Sequence, residues 1–320
     1  MKALAEERKT EFKSGLPVQA EILRIRHEKA HFHPDIIELL VCLQGEITIK
    51  SCNEEKILHE GDTCALDFSD IHCLFSDKNN LVLSVHINGR ESGDIYEELK
   101  QCFLEFDTTK LNELQKKPSY GVQDLLLSIS AILFREPGPD TEARAVRAMS
   151  EQMLRLLTKY FDWLSFIPDP YYSNRHFHER CRRIMAYCLE NYNKKITISQ
   201  VAEMEHINET YVSSFMKKSS LGGFKATISF IRSFYAEHML LTTDMDVISI
   251  SESCGFSDPK YFYTAFRKAW GCTPARHRQW YREYLKTPVD VEIIDPAQAK
   301  EMLDSYITSY HLRKTVSLVL

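Results

Sequence analysis

The sequence predicts an α+β, multidomain chain: a β-barrel first, a helical connector next, and an all-α domain with two helix-turn-helix units last. Three observations lead there. Short apolar runs broken by regular turn signals fill Val18 to Ile87, which is the mark of a sandwich or barrel. From Ser92 the apolar spacing turns helical. From His178 to about Leu285 the chain is helical again, and one pattern of two short helices and a turn occurs twice.

The strands come first. "ELLVCLQGEITIKS" alternates around Gly45, "KILHEGDTCALDF" turns at Gly61-Asp62, and "LVLSVHIN" closes the run. Three helices are expected next: "SGDIYEELKQCFLEF" with Ser92 as N-cap, "YGVQDLLLSISAILF", and "DTEARAVRAMSEQMLRLLTKYFDWL". Leu125, Leu126, Ile129, Ile132 and Leu133 make one apolar stripe, and Val146, Met149, Met153, Leu156, Leu157 and Tyr160 another. "FIPDPYYSNRHF" has two prolines and no helical period, so it reads as a linker. The tail reads as a strand, then a helix from about Pro296. The expected domains are a barrel over 1–90, a connector over 91–165, a linker over 166–177, a helical domain over 178–285 and an extension over 286–320.

Charge separates the halves. The 320 residues carry a formal net charge of −5. Residues 175–288 hold 17 Lys and Arg against 11 Asp and Glu, whereas residues 1–174 hold 20 against 29. A basic back and an acidic front suit a chain in which one domain meets phosphate and the other does not. Nine cysteines at scattered spacings, with no CxxC pair, indicate neither a disulfide framework nor a zinc ribbon. The amino terminus "MKALAEERKTEFKSG" has no apolar core, so no signal peptide is expected. No apolar run approaches the ~18 residues of a membrane span. The expected location is cytoplasmic, with no membrane partner.

The repeat lies in the basic half. "TISQVAEMEHINETYVSSFMKK" aligns with "VISISESCGFSDPKYFYTAFRK" at an offset of fifty. Asn208 and Asp258 cap the second helices. Val212 and Met216 match Phe262 and Phe266 as buried pairs, and Lys217-Lys218 match Arg267-Lys268. Gly255 suits a tight turn with positive φ. The intervening helix over 224–241 spans about 27 Å at ~1.5 Å per residue. Successive major-groove faces are ~34 Å apart.

"CGFSDPKYFYTAFRKAWGCTPARHR" resembles the signature of the AraC/XylS family of bacterial transcription regulators, through Gly255, Phe256, Ser257, Asp258, Tyr261, Phe262, Phe266, Gly271, Thr273, Pro274 and Arg278. The resemblance covers residues 179–278, and Phe224, Arg232, Ala236 and Leu240 fit it in the joining helix. Leu221, Met216 and Ser251 depart from the family's usual glycine, phenylalanine and alanine. The resemblance implies that the second helix of each unit reads bases: Thr210, Ser213 and Ser214 in the first, Lys260, Tyr261 and Thr264 in the second. Lysine donates to guanine edges, whereas hydroxyls discriminate less. Lys217, Lys218, Arg267 and Lys268 are placed to meet phosphates.

The acidic half contains "HFHPDIIELLVCLQG" and "GDTCALDFSDIH". His31 and His33 share a face by strand parity, and Glu38 returns after a turn at Pro34-Asp35. The spacing resembles the two cupin motifs, from His31, His33, Glu38 and Gly45 to Gly61 and His72, with Asp67 and Ser69 in place of a usual proline and glycine. In that family the three histidines and the glutamate can hold a divalent metal, and the donor set suits zinc, iron, nickel or manganese. They can also line a polar effector pocket, which His86 would join. Cys42, Cys64 and Cys73 read as core.

The expected function is that of a ligand-responsive, sequence-specific transcription regulator, an activator and not an enzyme. A cupin-like barrel binds a small-molecule effector and the carboxy-terminal domain binds double-stranded promoter DNA. The connector supports a homodimer, and the family resemblance implies RNA polymerase as a partner. The rival is a metal-dependent cupin enzyme, a dioxygenase or isomerase, fused to a DNA-binding domain.

Overall fold

The computed structural model describes residues 3–13, 15–51, 54–135, 140–163, 175–218 and 222–319. The chain divides into two compact units. One comprises Glu7–Leu99, Leu104–Asp162 and Pro288–Leu320; the other comprises Met1–Glu6, Lys100–Phe103 and Trp163–Thr287. Most of the expected linker, 166–174, lies outside the described residues, as does Leu221.

The first unit is built on one sheet. Its strands among the described residues are β1 (Glu6–Glu7, of which Glu7 belongs to this unit), β2 (Val18–His27), β3 (His31–Phe32), β4 (Ile36–Ser51), β5 (Glu54–His59), β6 (Thr63–Leu66), β7 (His72–Phe75), β8 (Asn80–Asn88) and β9 (Asp290–Ile293). β8 lies between β2 and β4, and β7 pairs with both β2 and β4, so these four strands close into a barrel-like ring. The long strand β4 makes this possible. Its first half pairs with β8 and β6, its second with β5 and β7, and a bulge between Cys42 and Gln44 re-aims it. Gly45 follows at φ +76°, where an added Cβ would stand 2.0 Å from the Asn79 carbonyl oxygen. Leu40, Ile47, Ile49, Leu58, Leu74 and Val82 fill the interior together with Cys42 and Cys64.

Three helices follow the barrel: α1 (Ile95–Leu99), α2 (Glu113–Leu133) and α3 (Asp140–Tyr160). The first is far shorter than the spacing predicts, and Ser92 closes the 3-10 turn Gly89–Glu91 rather than opening a helix. The sheet captures the chain beyond it. The Leu104 N–H donates to Asp67 Oδ2 at 2.9 Å, and the Ala65 N–H donates to the Phe106 carbonyl at 2.9 Å. Helix α2 buries Val122, Leu126, Leu127 and Ile129, while Leu125, Ile132 and Leu133 are only half-buried. In α3 the buried face adds Leu154 and leaves Met149, Leu156 and Tyr160 half-buried. Each buried face is rotated from the expected stripe.

The tail returns to this unit. Strand β9 pairs antiparallel with β2, Leu23 opposite Ile293, and Arg24 reaches Glu292 at 2.5 Å. Helix α11 (Pro296–Val319) packs along α2, burying Ala299, Leu303, Tyr306 and Tyr310, and the Tyr310 hydroxyl donates to Asp124 at 3.0 Å.

The second unit is helical: α4 (Arg175–Asn191), α5 (Ile198–Met204), α6 (Glu209–Lys217), α7 (Phe224–Thr242), α8 (Val247–Ser253), α9 (Pro259–Trp270) and α10 (Pro274–Tyr284). Helix α4 begins inside the expected linker. Pairs α5–α6 and α8–α9 repeat one design. Each first helix ends with paired reverse hydrogen bonds, Ile207 N–H to Ala202 O and His206 N–H to Glu203 O, matched by Phe256 N–H to Ser251 O and Gly255 N–H to Glu252 O. This is the Schellman closure, with His206 at φ +53° and Gly255 at φ +78° in the left-handed position. The first helices therefore align at an offset of 49, not fifty, and the extra residue falls in the second turn before Asp258. Val201 and Ala202 then match Ile250 and Ser251, all buried.

Arg278 stitches the unit together, donating to the carbonyls of Leu240 and Met245 at 3.0 and 2.8 Å. Arg232 does the same for Tyr192 and Lys194 at 2.7 and 2.8 Å. An alanine Cβ at Gly255 would meet backbone atoms of Tyr192 and Asn193 at 2.8 Å, in addition to the left-handed φ. We predict that Gly255→Ala destabilises this unit by about 1–3 kcal/mol in chemical denaturation. His206→Gly, which relieves the same backbone class at an exposed site, leaves stability unchanged or raised.

Candidate functional site

The histidine cluster forms where β3, β4, β7 and β8 meet. His31 lies opposite His72, and Glu38 lies opposite His86. His33 shares the inward face of His31, and a turn with Asp35 at φ +57° brings Glu38 back beside them. Glu38 Oε2 stands 3.0 Å from His72 Nε2, 3.5 Å from His33 Nε2 and 4.0 Å from His31 Nε2. His86 Nε2 is 3.6 Å from Glu38 Oε1. One ligand atom from each of His31, His33, Glu38 and His72 lies within 4.8 Å of the other three. All five residues are at most 6% exposed, so they converge inside the barrel.

Backbone carbonyls hold the rings. Nδ1 of His31, His33 and His72 lies 2.8, 2.9 and 2.9 Å from the carbonyl oxygens of Lys29, Arg8 and Asp70. A carbonyl can only accept, so each Nδ1 carries a proton, and each neutral ring presents its Nε2 lone pair inward. Ser84 donates to Glu38 Oε1 at 2.7 Å. The three inward Nε2 atoms and Glu38 Oε2 are buried and lack an aligned hydrogen-bond partner among the described residues. An orphaned buried polar atom costs about 1–3 kcal/mol. Four such atoms facing one point, each anchored from behind, is the arrangement of metal-ligating imidazoles with their outer contacts. The donor set fits a divalent cation.

Charge is finely divided inside this cluster. Burial acts to raise the Glu38 carboxyl, but His86, His33 and His72 together outweigh it and hold the group well below the usual carboxylate range. Burial, followed by the neighbouring His72, pushes His31 well below the ordinary imidazole value, and burial takes His86 down to about 4. Burial opposes a charge on His72 as well, yet Glu38 prevails and the ring titrates higher than usual. Glu38 is therefore the anion at the centre.

Sequence reasoning missed three contributors. Ser84 shares strand parity with His86 and could have been found that way. Arg8 contributes its carbonyl to His33 and pairs with the buried Glu28, whose carboxyl burial pushes up. Neither Arg8 nor Glu28 carries a local signal, since their pairing spans 20 residues. Ser69, at the usual glycine of the second motif, adopts φ +61°. It accommodates what glycine normally supplies.

The second unit presents a different chemistry. On α6, capped by Asn208, Val212, Phe215 and Met216 are buried while Thr210, Ser214, Lys217 and Lys218 are exposed and Ser213 is half-buried. On α9, capped by Asp258, Phe262, Phe266 and Trp270 are buried while Lys260, Tyr261, Thr264, Arg267 and Lys268 are exposed. Tyr261 is 65% exposed, an uncommon state for an aromatic ring, and Tyr263 beside it is also exposed. Tyr263 was not among the expected reading residues. The Thr264 hydroxyl donates to the Lys260 carbonyl at 2.9 Å, so its methyl is the freer group.

Residues 201–279 match a family model described as a helix-turn-helix domain. The chain is 35% identical to the HTH-type transcriptional regulator ExsA of Pseudomonas aeruginosa, over 24% of this chain and 33% of that protein. It is 25% identical to the melibiose operon regulatory protein of Escherichia coli, over 36% and 38%. The chain thus spans about a third of the length of these curated relatives. A solved structure of ToxT from Vibrio cholerae aligns with 82% of this chain and 98% of that one, at 13% identity and a TM-score of 0.43. By the sequence matches, residues 201–279 form a helix-turn-helix domain shared with curated transcription regulators, in keeping with the AraC/XylS resemblance. No described helix is long and apolar enough to cross a membrane.

The buried imidazoles set a pH response. Below its ordinary 6.5, His86 of the unfolded chain takes up a proton that the folded chain refuses until about pH 4. The unfolded state then binds more protons, so stability falls as pH drops through that window. His31 acts in the same direction, and Glu38 follows at lower pH. His72 has the opposite sign, its contribution being lost as pH rises above its raised value. The thermal midpoint of the chelator-treated barrel should decline from pH 6.5 toward 4, and His86→Gln should make that decline shallower.

Proposed function

We propose that this chain is an effector-responsive, sequence-specific transcription activator of the cytoplasm, built from a cupin-like sensor barrel and a domain with two helix-turn-helix units. The observation that carries the reading is the coexistence of a buried, convergent donor set in one unit with an AraC-type DNA-binding domain in the other. Helices α6 and α9 serve as reading helices. Lys260 and Tyr261 face base edges, with Thr264 offering its methyl. Thr210, Ser213 and Ser214 position α6. Lys217, Lys218, Arg267 and Lys268 meet phosphates.

In the barrel, His31, His33, Glu38 and His72 would hold zinc, iron, nickel or manganese, which would supply a Lewis-acidic point for an effector oxygen. His86 stands at the same site for contact with the effector. Effector binding acts on DNA only if its affinity differs between two arrangements of the protein. Homodimerisation, and contact with RNA polymerase at the promoter, complete the reading.

Two measurements test it. Binding sites recovered from randomised duplex DNA with the full chain give a best site, its point variants and an unrelated control. Lys260→Ala should cost about 1–3 kcal/mol on the best site and relax preference at one base pair. Lys268→Ala should weaken all sequences alike and lower the salt slope by about one phosphate. Equal losses on every sequence for Lys260→Ala would overturn the orientation of α9.

The metal content of protein purified without chelator tests the barrel. About one first-row metal per chain is expected, falling to background in His33→Ala with the fold retained. A screen of metals and metabolites by thermal shift, repeated for DNA affinity, tests responsiveness. If nothing that stabilises the barrel alters DNA affinity, the chain is a constitutive DNA binder.

A further inference from the structure

We propose that Cys272 is an activated thiol, held in a Cys272–His277–Glu237 relay inside the DNA-binding unit, and that it is a modification site for peroxides and soft electrophiles. Cys272 lies in the turn between α9 and α10, its Sγ 3.8 Å from His277 Nδ1. On the other side of the ring, His277 Nε2 is 2.7 Å from Glu237 Oε1, contributed by α7. His277 and Glu237 are 4% and 2% exposed.

The order of these groups suits a relay. In the tautomer that donates Nε2–H to a Glu237 carboxylate, Nδ1 turns its lone pair toward the thiol. Transfer of the thiol proton to Nδ1 gives a thiolate beside an imidazolium, and the buried carboxylate behind stabilises that imidazolium. Nucleophile, base and orienting group in hydrogen-bonded sequence is the general design for activating a weak nucleophile. The rings of Phe266, Trp270 and Tyr281 lie 5.6, 6.0 and 5.2 Å from the imidazole and shield it from water. Cys272 also stands just before Thr273, the N-cap of the 11-residue helix α10, where the helix dipole favours an anion.

Two neighbours in the fold sharpen the contrast. Cys272 and His277 occupy the positions at which an apolar pair commonly staples a helix start. A staple needs only hydrophobic contact. It does not call for a buried carboxylate on the far nitrogen. Among the described cysteines, Cys272 alone is half-buried; the other seven are buried. Burial pushes the thiols of Cys42, Cys188 and Cys254 up to about 12 and that of Cys64 up to about 11, which keeps them unreactive.

With a peroxide, the thiolate sulfur attacks one oxygen. The S–O bond forms as the O–O bond breaks, and the departing hydroxide takes the imidazolium proton to leave as water. Sulfur is oxidised to a sulfenic acid and the peroxide is reduced. The product adds an oxygen one residue after Gly271, which ends α9. Modification there alters packing at the base of the second reading helix.

The test uses the full-length protein at neutral pH with limiting iodoacetamide, alkylated sites being mapped by peptide mass spectrometry. Cys272 should react first and faster than N-acetylcysteine in the same buffer, as only an activated thiol can when it is half-buried. Full ionisation raises the thiolate fraction up to ~30-fold at pH 7, offset in part by lower nucleophilicity, so a several-fold margin is expected. His277→Gln should slow Cys272 alkylation several-fold. Glu237→Gln, which keeps an acceptor and removes the charge, should slow it less. Simple loosening of the turn would expose the thiol and speed the reaction, so the sign separates activation from packing. Hydrogen peroxide followed by dimedone should tag Cys272 in the native protein and not in His277→Gln. A wild-type Cys272 slower than N-acetylcysteine overturns the proposal without any variant, and so does an unchanged or faster rate in a folded His277→Gln.

Discussion

A carboxylate enclosed by an apolar barrel is the constraint on which the first unit turns. Removing Glu38 from water is expensive, and among the described residues no lysine or arginine pairs with it. The barrel answers with imidazoles on every inward side and a single serine hydroxyl. Three of those four imidazoles, His31, His33 and His72, are in turn held by their outer nitrogens on three loop carbonyls. The turn at Asp35, the left-handed Ser69 and the approach of Arg8 are consequences of that demand. Each delivers one ring or one carbonyl to its place. The cluster therefore determines details of the strands that surround it, and not only the reverse.

The second unit obeys another economy. Its two helix pairs share the closure of the first helix and the side-chain cap of the second, yet differ in how the closure is filled. Gly255 sits against the backbone of Tyr192 and Asn193, where no side chain fits. His206 occupies the corresponding left-handed position in the open. The outward faces share a basic end, Lys217-Lys218 and Arg267-Lys268, and an exposed tyrosine, but differ nearer the start, where α6 has Thr210 and Ser214 and α9 has Lys260 and a second exposed tyrosine. The scaffold is duplicated and the surface chemistry only in part.

Much of this was legible in the residues. Period-two parity joined His31 to His33, and the interval to Glu38 was readable from Pro34-Asp35. The aromatic pair Phe262 and Phe266 declared both the helix and its buried side. Local periodicity failed where distant partners intervened. Residues 92–106 have helical spacing throughout, but Asp67 and Ala65 draw the chain from Leu104 onward into extended pairing with the sheet. The stripes of α2 and α3 were read a fraction of a turn from their true faces, because each helix is contacted by more than one partner. The strand "VDVEII" was recognisable, but its partner was not, since Leu23 and Ile293 are 270 positions apart and no local pattern records the match.

That pairing of β9 with β2 changes what kind of object the DNA-binding unit is. The polypeptide leaves the barrel unit after Asp162 and rejoins it at Pro288. The stretch Trp163–Thr287 is thus inserted between two parts of the barrel unit, and the short segments Met1–Glu6 and Lys100–Phe103 belong with it. A single cut in either connection leaves both pieces still holding part of the barrel's sheet or its helical cover. For anyone grafting reading heads between regulators, the main segment is a loop to be spliced at both ends, and Met1–Glu6 and Lys100–Phe103 have to travel with it. A conventional fusion made after the barrel would strip β2 of its edge strand and α2 of its covering helix.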